Sequence, residues 1–450
     1  MNAVSGSPVQ IKPVPVRFQE ALRFWLWLGC ISFGGPAGQI AVMHKELVER
    51  RRWISEQRFL HALNYCMVLP GPEATQLATY IGWLLHGIRG GIAAGVLFVL
   101  PSLVLLIGLS WLYMAYGSLP LIAGALYGIK PAVTAIVVQA AWRIGRRALR
   151  NAALWLIAAA AFVAIFALGL PFPLIVLAAG LLGAIGGKLA PQRFELGGAQ
   201  GAALRSFGPA LIDDDTVVAH ASWHPMKLVR VLLVGIALWG LAYGTLWFVL
   251  GAENPLTRMG LFFSGAALVT FGGAYAVLPY VYQAAVSQYH WLDATQMIDG
   301  LALGETTPGP LIMVVAFVAF VGGWQTEALG THAFVLSGAV AAVTVSFFTF
   351  LPSFVFILAG GPLVEATRGN LQLSAPLTAI TAAVVGVILN LALFFTWHVL
   401  WPTGFSGRFD IASAMIGTLA LIALLRWHLS VPRLIGAAAI AGIALRLIAA

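Results

Sequence analysis

Long apolar runs separated by short polar connections dominate the chain. A bilayer core takes roughly 20 apolar residues per helix. Uninterrupted runs of about that length occur at 91–115, 119–142, 151–169 and 171–188, then at 226–250, 333–360, 376–400, 410–427 and 430–448. These are read as nine true spans. Four further stretches are apolar but interrupted. Residues 19–43 contain Phe33-Gly34-Gly35-Pro36, and 59–86 contain Pro70-Gly71-Pro72. Residues 259–281 contain Phe271-Gly272-Gly273, and 296–322 contain Pro308-Gly309-Pro310. Proline removes a backbone donor and glycine frees φ, so a regular helix is expected to break at each of these points. The only long polar stretch is 190–225, which holds Asp213-Asp214-Asp215 and predicts a linker.

Composition sharpens this reading. Of the 450 residues 60% are hydrophobic and 9% charged, against roughly 25% charged in soluble domains. The chain lacks the polar groups to cover a water-facing surface. That excludes a soluble enzyme, a disordered protein and a nucleic-acid binder. Apolar segments rich in glycine (49) and proline (23) point to an all-α polytopic membrane protein. Cys30 and Cys66 lie in apolar surroundings and form neither a metal pattern nor a disulfide framework. The N-terminal stretch lacks the short apolar core and small-residue cleavage site of a secretory signal.

The interruptions come in the same order in both halves. At an offset of 238 residues Phe33-Gly34-Gly35 falls on Phe271-Gly272-Gly273, Trp53 on Trp291, and Pro70-Gly71-Pro72 on Pro308-Gly309-Pro310, without a gap. At 251, Leu100-Pro101-Ser102 meets Leu351-Pro352-Ser353 and Gln139 meets Asn390. At 259, Pro173 meets Pro432. The anchors are the rarer, structure-breaking residues, which argues for an internal repeat. The expected organisation is a first transmembrane repeat at 1–189, a cytoplasmic linker at 190–225, one extra helix at 226–250, and a second repeat at 251–450.

A single extra span between two repeats turns the second upside down, and charge tests this. Let the N-terminus be cytoplasmic and each interrupted segment dip in and return. Of the 25 Lys and Arg, only Arg258, Arg408 and Arg446 then lie outside, with Lys130 inside a span. Full spanning by the interrupted segments would instead expose the basic loop 44–58 outside. Its counterpart, 282–296, carries no Lys or Arg. Re-entrant hairpins therefore fit better. The net charge of +9 becomes a topology signal, with some contact to anionic lipid.

Two inverted-topology repeats with broken helices are a transporter design, in which breaks meet near the midplane and half-helix ends bind the solute. Irregular backbone at membrane depth persists only where it is buried or lines a cavity. Helices starting after Gly35, Pro72, Gly273 and Pro310 would present free N–H groups with partial positive charge, which favour an anion. The simpler alternative, kinks that serve packing alone, is weakened by two kinds of break that each occur twice.

Three runs in the first half, Ser32-Phe33-Gly34-Gly35-Pro36, Trp53-Ile54-Ser55-Glu56 and Leu69-Pro70-Gly71-Pro72-Glu73-Ala74-Thr75-Gln76, closely resemble motifs of the chromate ion transporter family. The second half resembles them through Thr270-Phe271-Gly272-Gly273, Trp291-Leu292 and Thr306-Thr307-Pro308-Gly309-Pro310, with Ala274 where the first half has Pro36. The resemblance spans nearly the whole chain and fits the long, two-domain members. It implies chromate efflux from the cytoplasm, chromate resistance, and a multi-pass protein of the bacterial plasma (inner) membrane. Sulfate, an isosteric dianion, is a competing or alternative substrate. A homodimer is left open.

Candidate substrate contacts are Ser32, Gly34, Gly35, Gly71, Thr75, Gln76, Thr270, Gly272, Gly273, Thr306, Thr307 and Gly309 at the breaks, with Gln39 beside them. In membrane helices such polar side chains also satisfy backbone groups. Lys130, mid-span in 119–142, costs about 2.5–3.5 kcal/mol on insertion scales. It reads as a cationic contact for a dianion, or else as a residue that snorkels or lines a water pocket. Its repeat partner is Thr381, so its role would be asymmetric. Glu73 and Glu305 put one carboxyl beside each Pro-Gly-Pro break. Loss of water favours the neutral form of a carboxyl, which suits proton exchange during transport; the alternatives are a helix N-terminal acid for Glu73 and a polar partner for Glu305. Asn64, Gln139 and Asn390 read as glue between helices.

Arg50-Arg51-Arg52 is better read as a topology determinant than as an anion attractor. His220 and His224 stand four apart without further ligands, so no metal site is expected. There is no HExxH, GxGD, P-loop or Rossmann pattern, which argues against an intramembrane enzyme, an ATP-driven pump and any cofactor. An anion channel stays physically close, because the same helix ends could line a pore.

Overall fold

The computed structural model describes residues 13–33, 35–194, 207–216, 218–271, 273–366 and 374–449. Among them the regular structure is helical, apart from one isolated parallel bridge between Ile54 and Ile212. The helix α1 (Phe18–Ile31) stops at Ser32, and α2 (Gly35–His44) starts at Gly35 and runs on as a π-helical turn, Lys45–Arg50. Ser55 caps α3 (Glu56–Val68) by accepting from Arg58 N–H. Past Pro70-Gly71-Pro72 comes α4 (Glu73–Tyr116). At 44 residues it would be about 66 Å long if straight, too long for one crossing. It bends where His86 and Gly87 leave helical geometry, with Gly87 at φ +64°. Then follow α5 (Pro120–Ala148), α6 (Ala152–Phe166), α7 (Phe172–Leu189) and a single turn, α8 (Pro191–Phe194).

After the linker comes α9 (Pro225–Leu250), and the earlier order recurs. Thus α10 (Pro255–Leu268) ends at a break, and α11 (Ala274–Tyr282) runs into a π-helical turn, Gln283–Gln288. Next, α12 (Ala294–Thr306) leads through Pro308-Gly309-Pro310 and a 3-10 turn to α13 (Val314–Gln325). The chain closes with α14 (Phe334–Ala366), α15 (Ser374–Leu400), α16 (Ile411–Arg426) and α17 (Val431–Ala449). Fine backbone detail also returns at the offset of 238. The two π turns coincide, as do positive φ at Arg52 (51°) and His290 (52°), and at Gly71 (123°) and Gly309 (108°). Positive φ outside glycine is uncommon, so this agreement is specific.

Among the described residues seven helices are long and apolar enough to cross a membrane, and the chain is an all-α polytopic membrane protein. The other two of the nine expected spans are present as shorter apolar helices at matching places, α6 with 15 residues and α16 with 16, about 22–24 Å at 1.5 Å per residue. Asn151 and Asp410 cap their starts through side-chain acceptors, which fixes where each begins.

The two halves are interleaved. The helix α5 packs on α16 and α17, while α15 packs on α6 and α7. At the centre α4 meets α14, and α5 meets α15. By contrast α9 touches mainly α14 and α10 and exposes nearly all of its surface, as a lipid-facing helix would.

The connections fall into two groups by what they touch. In one, Ile212 N–H donates to Trp53 O and Ser55 Oγ to Asp214 at 2.5 Å. His220 contacts Trp83 O and His86 contacts Val16 O; separately, Asn151 donates to Arg193 O. In the other, Asn254 donates to Ala328 O, Gln283 to Gly169 O, Gln325 to Gln296, and Tyr127 to Asp410.

Candidate functional site

All four breaks meet in the interior. Gly71 N–H donates to Thr270 O at 2.7 Å, and Gly309 N–H donates to Ser32 O at 2.7 Å. At the 238-residue offset these are one contact made twice, with the partners exchanged, which is the signature of a two-fold relation. A Cβ placed on Gly273 would lie 4.0 Å from Pro36, so the two Gly-Gly breaks also adjoin. Each Pro-Gly-Pro glycine packs on the serine of the opposite half: Gly71 on Ser353, and Gly309 on Ser102. Gln39 Nε2 donates to Gly309 O, and Gln76 Nε2 to Pro70 O (2.7 Å) and Ser353 Oγ (3.3 Å). The ring is sealed. Ser32, Gln76 and Thr270 are fully buried, and Gln39 and Thr75 nearly so. Gly34 and Gly272 lie outside the described residues.

The geometry divides the polar residues at the breaks. Thr270, Thr306 and Thr307 donate their hydroxyl hydrogens to Ala266 O, Leu303 O and Gly304 O of their own helix. A hydroxyl has one hydrogen, so these three are not free donors, and local helix satisfaction replaces the expected anion contact. Likewise the N–H groups of Gly71 and Gly309 are taken by carbonyls. Among the described residues the buried Oγ atoms of Ser32, Thr75 and Ser102 have no partner. The Oε1 atoms of Gln39 and Gln76 are also unpartnered. Buried polar atoms rarely stay unmatched, which makes the breaks a candidate site. Ser102 was visible in the sequence only as a repeat anchor. Among the described residues no side chain caps the N-termini after Pro72, Gly273 and Pro310.

Glu305 accepts from Tyr275 OH at 2.5 Å and is within electrostatic reach of Arg143. Arg143 went unweighed in the sequence because it reads as one of four basic residues at a helix end. Glu73 opens α4 and is half-buried, with no hydrogen bond among the described residues.

Lys130 is not at the breaks. Its Nζ pairs with Asp299 Oδ2 at 3.3 Å, and Tyr113 OH donates to the same oxygen at 3.0 Å. The group lies in a cleft of about 450 Å³ lined also by Gln296, Tyr127 and Arg446. A carboxylate six residues before Glu305 in an apolar stretch was the signal for Asp299, since intramembrane charges come in pairs. A second buried pair joins Arg58 Nη2 to Glu365 Oε2 at 2.9 Å, with Tyr80 OH on Oε1 at 2.6 Å.

A family profile described as Chromate transporter matches residues 19–184 and 257–443. The chain is 33% identical over 391 residues to a chromate transport protein of Pseudomonas aeruginosa, covering 86% of this chain and 83% of that one. It is 26% identical over 427 residues to a chromate transport protein of Cupriavidus metallidurans, covering 94% and 92%. With a probable chromate transport protein of Synechococcus elongatus identity is 26% over 444 residues, 98% of each. No solved structure matches. The chain belongs to the chromate transporter family.

Proposed function

We propose that this member of the chromate transporter family is a secondary transporter that exports chromate from the cytoplasm and so gives chromate resistance. The reciprocal pair of hydrogen bonds, Gly71 to Thr270 and Gly309 to Ser32, carries the reading. It holds four helix breaks around one buried point, where unpartnered hydroxyls and uncapped helix ends favour a dehydrated oxyanion.

The two repeats, 1–189 and 251–450, face opposite ways, set so by α9, with 190–225 as the cytoplasmic linker. The sorting of connections supports this. Residues 16, 52–55, 83–86 and 211–220 share contacts, and 169, 254, 283, 296, 325 and 328 form the other set. The pairs α1–α2 and α3 with the start of α4 begin and end in the first set. The pairs α10–α11 and α12–α13 begin and end in the second. That is the arrangement of re-entrant hairpins in inverted repeats.

Ser32, Thr75 and Ser102 donate to the anion. The first turns after Gly35, Pro72, Gly273 and Pro310 supply dipole ends, and Thr270, Thr306 and Thr307 shape the pocket walls. Glu73 and Glu305 take up and release the coupled proton, Glu305 through its contact with Tyr275. Sulfate has the same shape and charge and competes. Direct hydrogen bonds between the breaks, from Gly71 to Thr270 and from Gly309 to Ser32, favour a carrier that alternates over an open channel.

Flux of labelled chromate into proteoliposomes, with sulfate as competitor and pH gradients of both signs, tests this. The expected result is saturable flux that responds to the gradient, with Glu73→Gln and Glu305→Gln flattening the response. Absence of saturable flux for both anions, or unitary currents without coupling, overturns it.

A further inference from the structure

Among the described residues, the ion pairs made by the buried carboxylates of Glu365 and Asp299 are built differently. Arg58 and Glu365 are closed in, with side chains 5% and 8% exposed. Tyr80 OH donates to Glu365 Oε1, and Arg58 Nη2 stands 2.9 Å from Oε2. Arg58 Nη1 also donates to Thr216 O of the linker, which fixes it further. The Lys130–Asp299 pair sits at an open cleft instead. The ammonium-bearing side chain is 25% exposed while Asp299 is 3% exposed. Lys130 and Tyr113 both act on Oδ2, and the buried Oδ1 has no partner. A carboxylate removed from water and half-satisfied is costly to keep, and the pair is loose on its cationic side. Two cations, Lys130 and Arg446, line the cleft against one carboxylate, Asp299. At about 30 Å³ per water, the volume of about 450 Å³ holds a hydrated anion.

We propose that this cleft is a second oxyanion subsite, where a tetrahedral dianion takes the Lys130 ammonium from Asp299 on its way to or from the buried breaks. The inference rests on the transport reading above. Asp299 is the resident competitor for Lys130. Tyr113 keeps a donor on the carboxylate when the ammonium leaves, so the handover strands no bare charge. Arg446 supplies the second positive charge at the cleft. Neither Lys130 nor Asp299 has a counterpart of its own type at the repeat offset, where Thr381 and His61 stand, so the subsite serves one side only.

The test is equilibrium binding of labelled chromate to the purified full chain. Asp299→Asn removes the competitor and lowers the dissociation constant about tenfold, the scale of one charge-assisted hydrogen bond. Lys130→Gln raises it by a similar factor. In the double variant the gain from Asp299→Asn disappears. A pair that serves structure alone predicts that both single variants move together and that the double variant returns to the wild-type constant; that result, or no change, overturns the subsite. If either charge variant fails to fold, Tyr113→Phe decides. It leaves both charges, tightens Asp299 on Lys130, and raises the constant; a folded variant with an unaltered constant overturns the subsite. Flux by the wild-type protein separates the two claims. Wild-type flux with constants that move together removes the subsite alone, whereas no wild-type flux removes the transport reading.

Discussion

At Gly71 the backbone φ is +123°, and an added Cβ would lie 2.3 Å from Ser353 Oγ and 2.7 Å from Gln76 Nε2. The strained φ costs an alanine about 1–3 kcal/mol, and overpacking costs a similar amount. Gly71→Ala is expected to lower the thermal unfolding midpoint and abolish flux. Gly108→Ala is the control, since that glycine lies inside α4 with nothing within 4 Å; there alanine is neutral or stabilises by up to about 1 kcal/mol. A second contrast separates hydroxyls of equal appearance in the sequence. Ser32→Ala removes a free donor and is expected to raise KM by about 2–10-fold, the range for one neutral hydrogen bond. Thr307→Val removes a hydroxyl bound to Gly304 O and leaves KM unaltered while reducing stability. Transport kinetics with a thermal melt check both. The breaks themselves were legible in the sequence, because glycine and proline act locally. Which hydroxyls stay free was not, because it depends on where each helix turn places a carbonyl. Lys130 was legible as a charge in an apolar run, whereas its partner on α12 is set by tertiary packing.

Among elements, α3 and α14 are held together by Arg58 and Glu365. Breaking a buried pair by removing one partner costs about 3–5 kcal/mol, while replacing both by apolar residues of similar volume is often neutral. Arg58→Met alone is therefore expected to lower the unfolding midpoint strongly, and Arg58→Met with Glu365→Leu to recover most of the loss. A double variant as unstable as the single would mean that the linker contact at Thr216 O, rather than the ion pair, holds this corner. Charges at helix ends gave no sequence signal of this junction, because such residues are usually solvated. The π turns at 45–50 and 283–288 also had no visible local cause. The helix α6 stops short of its expected end because apolar composition continues past the residues that end it, with Leu168 beyond its last turn, whereas α16 matches its expected bounds to within one residue at each end.

For the whole molecule, the repeat offset is the strongest sequence feature. It foretold which backbone positions carry equivalent conformations, down to Arg52 and His290. It did not foretell that the halves interleave, with α5 against α17 and α15 against α7, because packing between repeats leaves no trace in a linear offset. Orientation is the remaining large-scale claim, and two residues measure it directly. Glu49 and Ser287 are equivalent at the offset of 238, and both are exposed at the end of a π turn. If the hairpins are re-entrant and the repeats inverted, the two lie on opposite faces of the membrane. If the repeats share one orientation, they lie on the same face. Cys30 and Cys66 are free, so a variant lacking both gives a clean background. In cells, a membrane-impermeant maleimide is expected to label Ser287→Cys at once and Glu49→Cys only after the membrane is opened. The basic residues around Glu49 and their absence around Ser287 set this sign through the positive-inside bias. Labelling of both before permeabilisation would remove the inverted arrangement, and with it the opposed dipole ends on which the anion site depends.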